Sequence, residues 1–558
     1  MPPLQPASKD PIHWLERNSF KLAVLFVLLF LISGVLTLRD YGLTWDEGLG
    51  NMFFGERYLN YFTSFNPVYL DFKADLPALR QYPLHLFLSP FHNVPYEFPP
   101  LADTLSAGTM YLFAYKLGWL NPIDGFHLAT VLLASIFLLC LYRFAAPRLG
   151  KFAAWMAMLL LAAFPRFWAD MHFNVKDIPE TIFFGLALMA FWTWYEKPSL
   201  ARALRAGLLA ASALAVKANA VFLLPILALA ILPKSLKRED WSAFWLHLRA
   251  YIGNYALMAF SGVAFYLLSW PNLYANPINN LKSYWRYILS QGDRAGGAGW
   301  NLDPIRQTIF SMPEWMLLLL CAGLVLVVLQ AWRARREKTA LWPLLLLWLA
   351  VPILRASMPG AVNFDGIRHF VEFLPAAALI AGYAASRIAA WLADQDSARR
   401  LAFGAGAVLI LALNLAWIVP GQYPYLHIYY NSLTGGLAGA QKAGLVGSVT
   451  EYWGSSYRSG MQWLRQNASP DARVYAMNAN WILDLSAPVL LRPDIRVLQA
   501  PLPDFRQLEA APDPTYLLFL LDPPDQKDEL AYCRARYRPS FEIVIDSVTI
   551  LQIFRLGK

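Results

Sequence analysis

The sequence predicts a polytopic α-helical membrane protein, with about eleven transmembrane helices and a small extracytoplasmic α/β domain at its C-terminal end. The composition is 57% hydrophobic and only 15% charged, whereas a soluble protein carries about a quarter charged residues. The apolar residues also form long blocks, close to the ~20 residues that a helix needs to cross a bilayer. Lys and Arg cluster in alternate loops, the pattern typical of cytoplasmic loops.

Each apolar block should be an α-helix, because lipid offers no partner for backbone N–H and C=O groups. The first block is not followed by a small-residue cleavage site, so it reads as an uncleaved span. A weaker apolar segment at 101–119 contains Asp103 and Lys116 and is expected to be a juxtamembrane helix on the outer surface. The predicted spans are 21–38, 126–146, 152–169, 179–195, 206–217, 219–233, 251–270, 314–332, 339–357, 373–392 and 401–419.

The placement of Lys and Arg gives the predicted topology. Residues 1–20 form a cytoplasmic N-terminus, residues 21–419 form the membrane domain, and 420–558 form the extracytoplasmic domain. Two outer loops, 39–125 and 271–313, are long enough to build a site. Residues 420–558 carry 13 Lys and Arg and 13 Asp and Glu, so the net charge of +9 (47 − 38) lies in the membrane part. The basic balance therefore reflects topology and not nucleic-acid binding.

The C-terminal segment shows alternating helix and strand patterns. A helical pattern at 457–464 precedes strand-like runs at 473–477, 515–521 and 542–554. The last run breaks at Asp546 and Ser547, which predicts a hairpin.

The first cluster of candidate functional residues is Asp46 and Glu47, just after the first span. Adjacent carboxylates at a membrane surface are expensive unless they are solvated, paired or functional. An alternative is structural: Asp46 could cap a helix whose dipole favours acidic residues in its first turn.

The second cluster lies between the third and fourth spans and includes Asp170, His172, Asn174, Lys176 and Asp177. A helix start at Asp177, with proline two residues later, explains part of this pattern. It does not explain the amide, the cation and the imidazole beside it, so a functional cluster remains the alternative.

Two further candidates are basic. Lys217 lies at the turn between two short apolar blocks, where an ionisable residue is a functional candidate; snorkelling to the interface is the structural alternative. Arg368 and His369 precede the tenth span, and an arginine there could bind a phosphate with both arms of its guanidinium. A flanking interfacial cation is the alternative interpretation.

These features together resemble the GT-C superfamily of membrane glycosyltransferases, in the branch that contains the protein O-mannosyltransferases and the lipid A aminoarabinose transferases. The resemblance covers about 20–420 and rests on the order of short motifs. The sequence departs from the family at Phe98, where a histidine often precedes Pro-Pro-Leu. The motifs are Asp46-Glu47, Glu97-Phe98-Pro99-Pro100-Leu101, Asn174-Val-Lys176-Asp177-Ile-Pro179, the Lys217 turn, and Arg368-His369 followed by Leu374-Pro375.

The resemblance implies transfer of a sugar from a polyprenyl-phosphate donor to an acceptor hydroxyl on a glycan, lipid or protein, with inversion. It implies that Asp46 is the general base, that Glu47 orients the acceptor or the base, and that Asp177 positions Lys176 or the sugar. The residues it assigns to the donor and its phosphate are Lys176, Lys217, Arg368, His369 and Asn174.

No cofactor and no metal site are predicted, although carboxylates of this kind suit Mg²⁺ or Mn²⁺. Loss of activity with a chelator, restored by one cation, would reverse that prediction. Three other functions stay open: a transporter or flippase of lipid-linked sugars, an oligosaccharide ligase or polymerase, and a non-catalytic scaffold. A transporter is disfavoured because the ionisable residues gather at one surface instead of the midplane.

Overall fold

The computed structural model describes residues 11–71, 98–231, 238–295, 299–333, 341–393, 397–445, 451–521 and 527–557. Several sequence-based expectations fall partly outside these ranges. They concern residues 1–10 of the N-terminal segment, residues 72–97 of the first long loop, which include Glu97 of the motif that closes it, residues 232–233 and 339–340 at the ends of two predicted spans, residues 296–298 of the second long loop, and residues 446–450, 522–526 and 558 of the C-terminal segment.

Each of the eleven apolar blocks contains a helix. Helices dominate the described part of the chain up to residue 422. These helices are α1 (Pro11–Thr37), α2 (Met52–Ser64), α3 (Leu101–Thr109), α4 (Pro122–Leu149), α5 (Lys151–Ala162), α6 (Pro165–Asp170), α7 (Asp177–Glu196), α8 (Leu200–Leu214), α9 (Leu223–Ile231), α10 (Arg238–Ala250), α11 (Ile252–Ser269), α12 (Pro277–Ala295), α13 (Asp303–Phe310), α14 (Glu314–Arg333), α15 (Trp342–Ser357), α16 (Leu374–Ala393) and α17 (Ser397–Gln422).

Among the described residues, five helices are long and apolar enough to cross a membrane: Arg17–Asp40, Pro122–Leu149, Ile252–Ser269, Glu314–Arg333 and Arg368–Leu392. Three shorter apolar helices are Lys151–Ala162, Ala218–Ile231 and Trp342–Ser357. The segment at 101–119 is helical, as α3 followed by a π-helix at Met110–Lys116. The count of eleven spans and the side of the membrane on which each loop lies stay predictions.

Small residues let the central helices approach closely. A Cβ on Gly382 of α16 would lie 2.6 Å from the carbonyl oxygen of Ala153 in α5. A Cβ on Gly323 of α14 would lie 2.4 Å from the carbonyl oxygen of Ile380. Such backbone contact is how helices associate where burial of apolar surface from water is absent. These close contacts fix the position of α16, and with it the segment Arg368–Phe373 that leads into this helix.

The rest of the chain combines short helices with one mixed sheet. The strands are β1 (Arg473–Ala476), β2 (Arg496–Val497), β3 (Thr515–Leu520), β4 (Phe541–Ile545) and β5 (Val548–Leu556), in the order β2-β1-β3-β5-β4. The helices are α18 (Gly436–Lys442), α19 (Tyr457–Asn467), α20 (Asn480–Leu490), α21 (Phe505–Ala510) and α22 (Lys527–Arg536).

The sheet is parallel on one side and antiparallel on the other. Strand β1 pairs in parallel with β2 and β3, and β5 pairs antiparallel with β3 and β4. The hairpin predicted at Asp546 and Ser547 is confirmed, and both residues have the positive φ that such a tight turn requires (45° and 65°).

This C-terminal part packs directly on one end of the helical bundle. Arg458 of α19 donates to Asp124 at the start of α4 at 2.5 Å, and to the carbonyl oxygen of Tyr41 at 3.0 Å. Both members of the ion pair are buried. The indole rings of Trp45 and Trp481 meet edge to face, 4.9 Å apart. The two parts of the chain therefore share a buried, charged and aromatic interface.

Candidate functional site

The candidate residues converge at the end of the bundle where α1 ends and α7 begins, which is called the site end below. They come from four separate connections: the segment after α1, the α6–α7 loop, the α8–α9 turn and the 3-10 helix Arg368–Phe373. This is also the end on which the C-terminal part packs.

Asn174 and Asp177 start α7. The Asn174 side-chain oxygen accepts the N–H of Asp177 at 2.8 Å, and its amide donates to Asp177 Oδ2 at 3.0 Å. Asn174 therefore satisfies the first N–H of α7 and orients the carboxylate of Asp177. The other oxygen of Asp177 accepts a hydrogen bond from Lys217 Nζ. Asp177 therefore begins α7, as the structural interpretation expects, and the same residue also contacts Lys217.

Arg368 lies at the centre of the charged groups. Its Nη1 is 3.6 Å from Asp46 Oδ2 and 3.6 Å from Asp177 Oδ2, and its Nη2 is 2.8 Å from Asp365 Oδ2. Two aromatic rings cover the guanidinium: Cζ lies 5.1 Å from the centre of Phe364 and 4.7 Å from that of Trp453. Asp46, Asp177, Lys217, Asp365 and Arg368 are called the charged cluster from here on.

Asp46 is the open member of the charged cluster. Its side chain is 50% exposed, whereas that of Asp177 is 2% exposed. Protein atoms nonetheless crowd around Asp46, so its carboxylate is exposed but only partly solvated. This crowding raises the pKa of Asp46 above the usual aspartate value, although the positive charge of Arg368 opposes the rise. Such a carboxylate holds a proton more readily than a solvated one.

Lys176 lies near the charged cluster and pairs with a residue outside it. Its Nζ donates to Asp103 Oδ2 at 2.7 Å and to the carbonyl oxygen of Pro99 at 3.0 Å. Asp103 is fully buried and also accepts from Asn51 at 2.9 Å. Burial lowers the pKa of Lys176, and the contact with Asp103 opposes that effect. No local signal in the sequence marks Asp103, 73 residues earlier, as the partner of Lys176.

Glu47 and His369 lie differently from the other candidates. Glu47 is 1% exposed, and its carboxylate accepts from Thr44 and lies 2.9 Å from His127. It therefore offers almost no surface to a substrate, which favours the second of its two expected roles, orientation of the base. The His369 ring packs edge to face on Phe364 at 4.5 Å, and its carbonyl oxygen accepts from Asn219.

The charges at this site are nearly balanced. Three carboxylates of the charged cluster face two cations, Lys217 and Arg368. Within the ranges that the structure describes, no three His, Cys, Asp or Glu side chains converge as metal ligands. The guanidinium of Arg368 itself occupies the position between the three carboxylates. Lys217 and Arg368 both contact Asp177. An incoming anion would therefore bind to two cations that already have a carboxylate partner in common.

Part of the chain matches a known protein family. Residues 98–266 match the model of the family described as dolichyl-phosphate-mannose-protein mannosyltransferase. This range contains Lys176, Asp177 and Lys217, and it excludes Asp46 and Arg368. Among the curated proteins, none matches the chain significantly.

Solved structures resemble almost the whole chain. ArnT from Cupriavidus metallidurans in the apo state is 16% identical, with 96% of this chain and 98% of that chain covered and a TM-score of 0.50. The same protein bound to undecaprenyl phosphate gives 16%, the same coverage and a TM-score of 0.49. The archaeal oligosaccharyltransferase AglB from Archaeoglobus fulgidus, in complex with an inhibitory peptide and a dolichol-phosphate, is 16% identical. There 88% of this chain and 62% of that chain are covered, with a TM-score of 0.45.

At such identities the structural likeness concerns the fold, and the family match concerns the middle of the chain. The resemblance of this chain to the GT-C glycosyltransferases, and within them to the mannosyltransferase and ArnT branch, is therefore confirmed.

Proposed function

We propose that this protein is a membrane glycosyltransferase that moves a sugar from a polyprenyl-phosphate donor to an acceptor hydroxyl. The observation that supports this function most directly is the half-exposed carboxylate of Asp46 beside Arg368 and the Asp177–Lys217 pair. The reaction needs a base for the acceptor's proton and cations for the charge that develops on the departing phosphate. Both kinds of group meet at the site end.

Asp46 is the base in this proposal. Among the acids of the charged cluster it is the most exposed, since its side chain is 50% exposed, that of Asp177 is 2% exposed and that of Asp365 is 11% exposed. Its raised pKa favours the transfer of a proton to it from a hydroxyl. Glu47 acts on Asp46 indirectly in this scheme, because it accepts the N–H and the hydroxyl of Thr44 and so holds the segment that carries Asp46.

Lys217 and Arg368 bind the lipid phosphate in this proposal. Their side chains are 20% and 10% exposed, so each is partly accessible to a ligand while Asp177 holds it in place. Arginine suits a phosphate because its planar guanidinium can donate two parallel hydrogen bonds. Lys176 adds a positive charge near Lys217 and Arg368 without binding the phosphate directly. Asn174 donates a hydrogen bond to Asp177 and holds its carboxylate in place. His369 contributes through its carbonyl oxygen, which holds Asn219 beside Lys217.

The proposed reaction is a single displacement at the anomeric carbon. The acceptor oxygen forms a bond to that carbon, the bond between the carbon and the phosphate oxygen breaks, and the configuration inverts. The acceptor's proton goes to Asp46, and the electron pair of the broken bond stays on the polyprenyl phosphate. Lys217 and Arg368 stabilise the charge of that leaving group. This scheme includes no metal ion and no cofactor.

The site is proposed to face the extracytoplasmic side of the plasma membrane. The Lys and Arg of alternate loops favour a cytoplasmic N-terminus, and with it an extracytoplasmic position for the end of α1 that precedes Asp46. The C-terminal part contacts this same end through Arg458 and Trp481, so it lies on the same side as the site. Acceptors there include glycans, lipids and proteins of the cell envelope.

The experiment that tests this function is transfer of labelled sugar by the purified protein in membranes. Polyprenyl-phosphate sugars would be supplied one at a time, with envelope glycans, lipids or proteins as acceptors. The expected result is transfer from one donor, with release of polyprenyl phosphate and an inverted glycosidic bond in the product. Movement of the labelled lipid across the membrane without transfer would instead favour a flippase.

A further inference from the structure

Trp453, from the C-terminal part, contacts both sides of the Asp46–Arg368 pair. Its carbonyl oxygen accepts the N–H of Trp45, the residue before Asp46, at 2.8 Å. The face of its indole ring lies 4.7 Å from Cζ of Arg368. Trp453 is 4% exposed, and a cation–π contact is strongest where water is excluded. One residue therefore holds the backbone next to the carboxylate and covers the cation that faces it.

Glu451 fixes the backbone around Trp453. One of its oxygens accepts the N–H of Trp453 at 3.0 Å and that of Gly454 at 2.9 Å. The other accepts the hydroxyl of Ser455 at 3.1 Å and the N–H of Ser456 at 3.2 Å. Glu451 is 1% exposed, and a buried carboxylate with four donors holds its segment in one geometry.

Two further features support this arrangement. Burial raises the pKa of Glu451, but His427, 3.5 Å away, and the hydrogen bonds outweigh it and hold this pKa below the usual glutamate value. Glu451 is therefore ionised at neutral pH. Gly454 has φ +80°, and a Cβ there would lie 2.7 Å from Ile482 Cδ1, so glycine is required directly after Trp453.

We infer that Trp453 is a positioning residue for the Asp46–Arg368 pair and that Glu451 holds it in place. This inference rests on the proposed function, because it adds the segment 451–456 to the same site. Trp453 does not touch the reacting atoms in this assignment. When the Trp453 ring is removed, Arg368 keeps its contact with Asp365 at 2.8 Å. It loses the aromatic surface that holds it beside Asp46.

The first test compares Trp453→Leu with Trp463→Leu. Trp463 belongs to α19 and stacks on Phe541 at 5.6 Å, so it is a matched control in the same part of the chain. Trp453→Leu is expected to lower kcat about tenfold, as disturbed positioning does, and to move the acidic limb of the pH–rate profile to higher pH. Trp453→Phe keeps an aromatic face and is expected to give an intermediate result.

The direction of the pH shift follows from the charges around Asp46. Those charged groups are Arg368, Lys217, Lys176, Asp177 and Glu47. Trp453 contacts Arg368, whose positive charge lowers the pKa of Asp46. A displaced guanidinium lowers this pKa less, so Asp46 is protonated at higher pH. Glu451→Gln is expected to shift the limb in the same direction.

The second test does not depend on turnover. A carbodiimide reacts with protonated carboxyl groups, and mass spectrometry gives the pH at which labelling of Asp46 is half complete. This midpoint is expected to rise in Trp453→Leu and to stay unchanged in Trp463→Leu. Equal midpoints in both variants would overturn the inference, even if transfer is measured. Absence of transfer by the wild type would overturn the proposed function and leave the labelling result to decide on Trp453.

Discussion

Replacement of Arg368 by glutamine tests the electrostatics of the site most fully. Arg368 Nη1 lies 3.6 Å from Asp46 Oδ2. At this distance two unit charges attract by about 1 kcal/mol at the dielectric constant of water and by about 5 kcal/mol at an effective value of 20. Because Asp46 is 50% exposed, the lower figure applies, and about 1 kcal/mol corresponds to roughly 0.8 pH unit.

Arg368→Gln should therefore raise the pKa of Asp46 by about one pH unit. A general base works in its deprotonated form, so the rate falls as the pH drops through this pKa. The acidic limb of kcat/KM should thus move upward by about one pH unit, and donor binding should weaken as well because a phosphate ligand is lost.

Arg306→Gln is the matched control for this prediction. Arg306 pairs with Asp303 three residues earlier, as Arg368 pairs with Asp365, and it is 43% exposed. Its replacement should leave the pH profile unchanged. An acidic limb that stays in place in Arg368→Gln, or that moves to lower pH, would refute the electrostatic assignment of Asp46 and Arg368.

Three further predictions concern the other ion pairs. Lys217→Met removes a charged hydrogen-bond donor worth about 1.5–3 kcal/mol, so the donor's Kd, measured by isothermal titration, should rise about tenfold or more; an unchanged Kd would exclude Lys217 as a phosphate ligand. Asp103→Asn removes the group that supports the charge of Lys176, so donor binding should weaken at alkaline pH more than in the wild type; parallel pH curves would contradict this. Arg458→Met leaves Asp124 buried without its cation, which costs about 3–5 kcal/mol; the Tm should fall by several degrees, and adding Asp124→Leu should restore part of it.

The helices could be predicted from the sequence because their signal is local. An apolar block of the required length predicts a helix whatever its neighbours in the folded protein are. The strands at 473–477 and 515–521 and the hairpin at Asp546 were readable for the same reason, since alternation and turn residues act over a few positions. The order in which the strands pair was not readable, because β3 pairs with strands on both sides of it in the chain.

The candidate site was only partly readable. Asp46, Asp177, Lys217 and Arg368 were singled out, and the structure brings them together. The contact of Trp453 with Arg368 was not predicted. The two residues are 85 positions apart, and nothing in the local sequence indicates which surface an aromatic side chain covers.

Two pairings at the site were missed for a similar reason. Lys176 pairs with Asp103, and Glu47 pairs with His127 on α4. Each pair joins two connections or helices that are distant in the chain. Such pairs depend on how helices pack, and no spacing within one segment encodes them.

The most direct measurement of the central claim is sugar transfer by Asp46→Asn compared with Asp40→Asn. Asp40 lies in the same connection after α1 and pairs with Tyr423 instead of the charged cluster, so it controls for the loss of a carboxylate nearby. Both variants should fold and bind donor as the wild type does. Asp46→Asn should lower kcat by about 10²–10⁴ while Asp40→Asn keeps normal transfer. Normal transfer by folded Asp46→Asn would contradict the assignment of Asp46 as the general base.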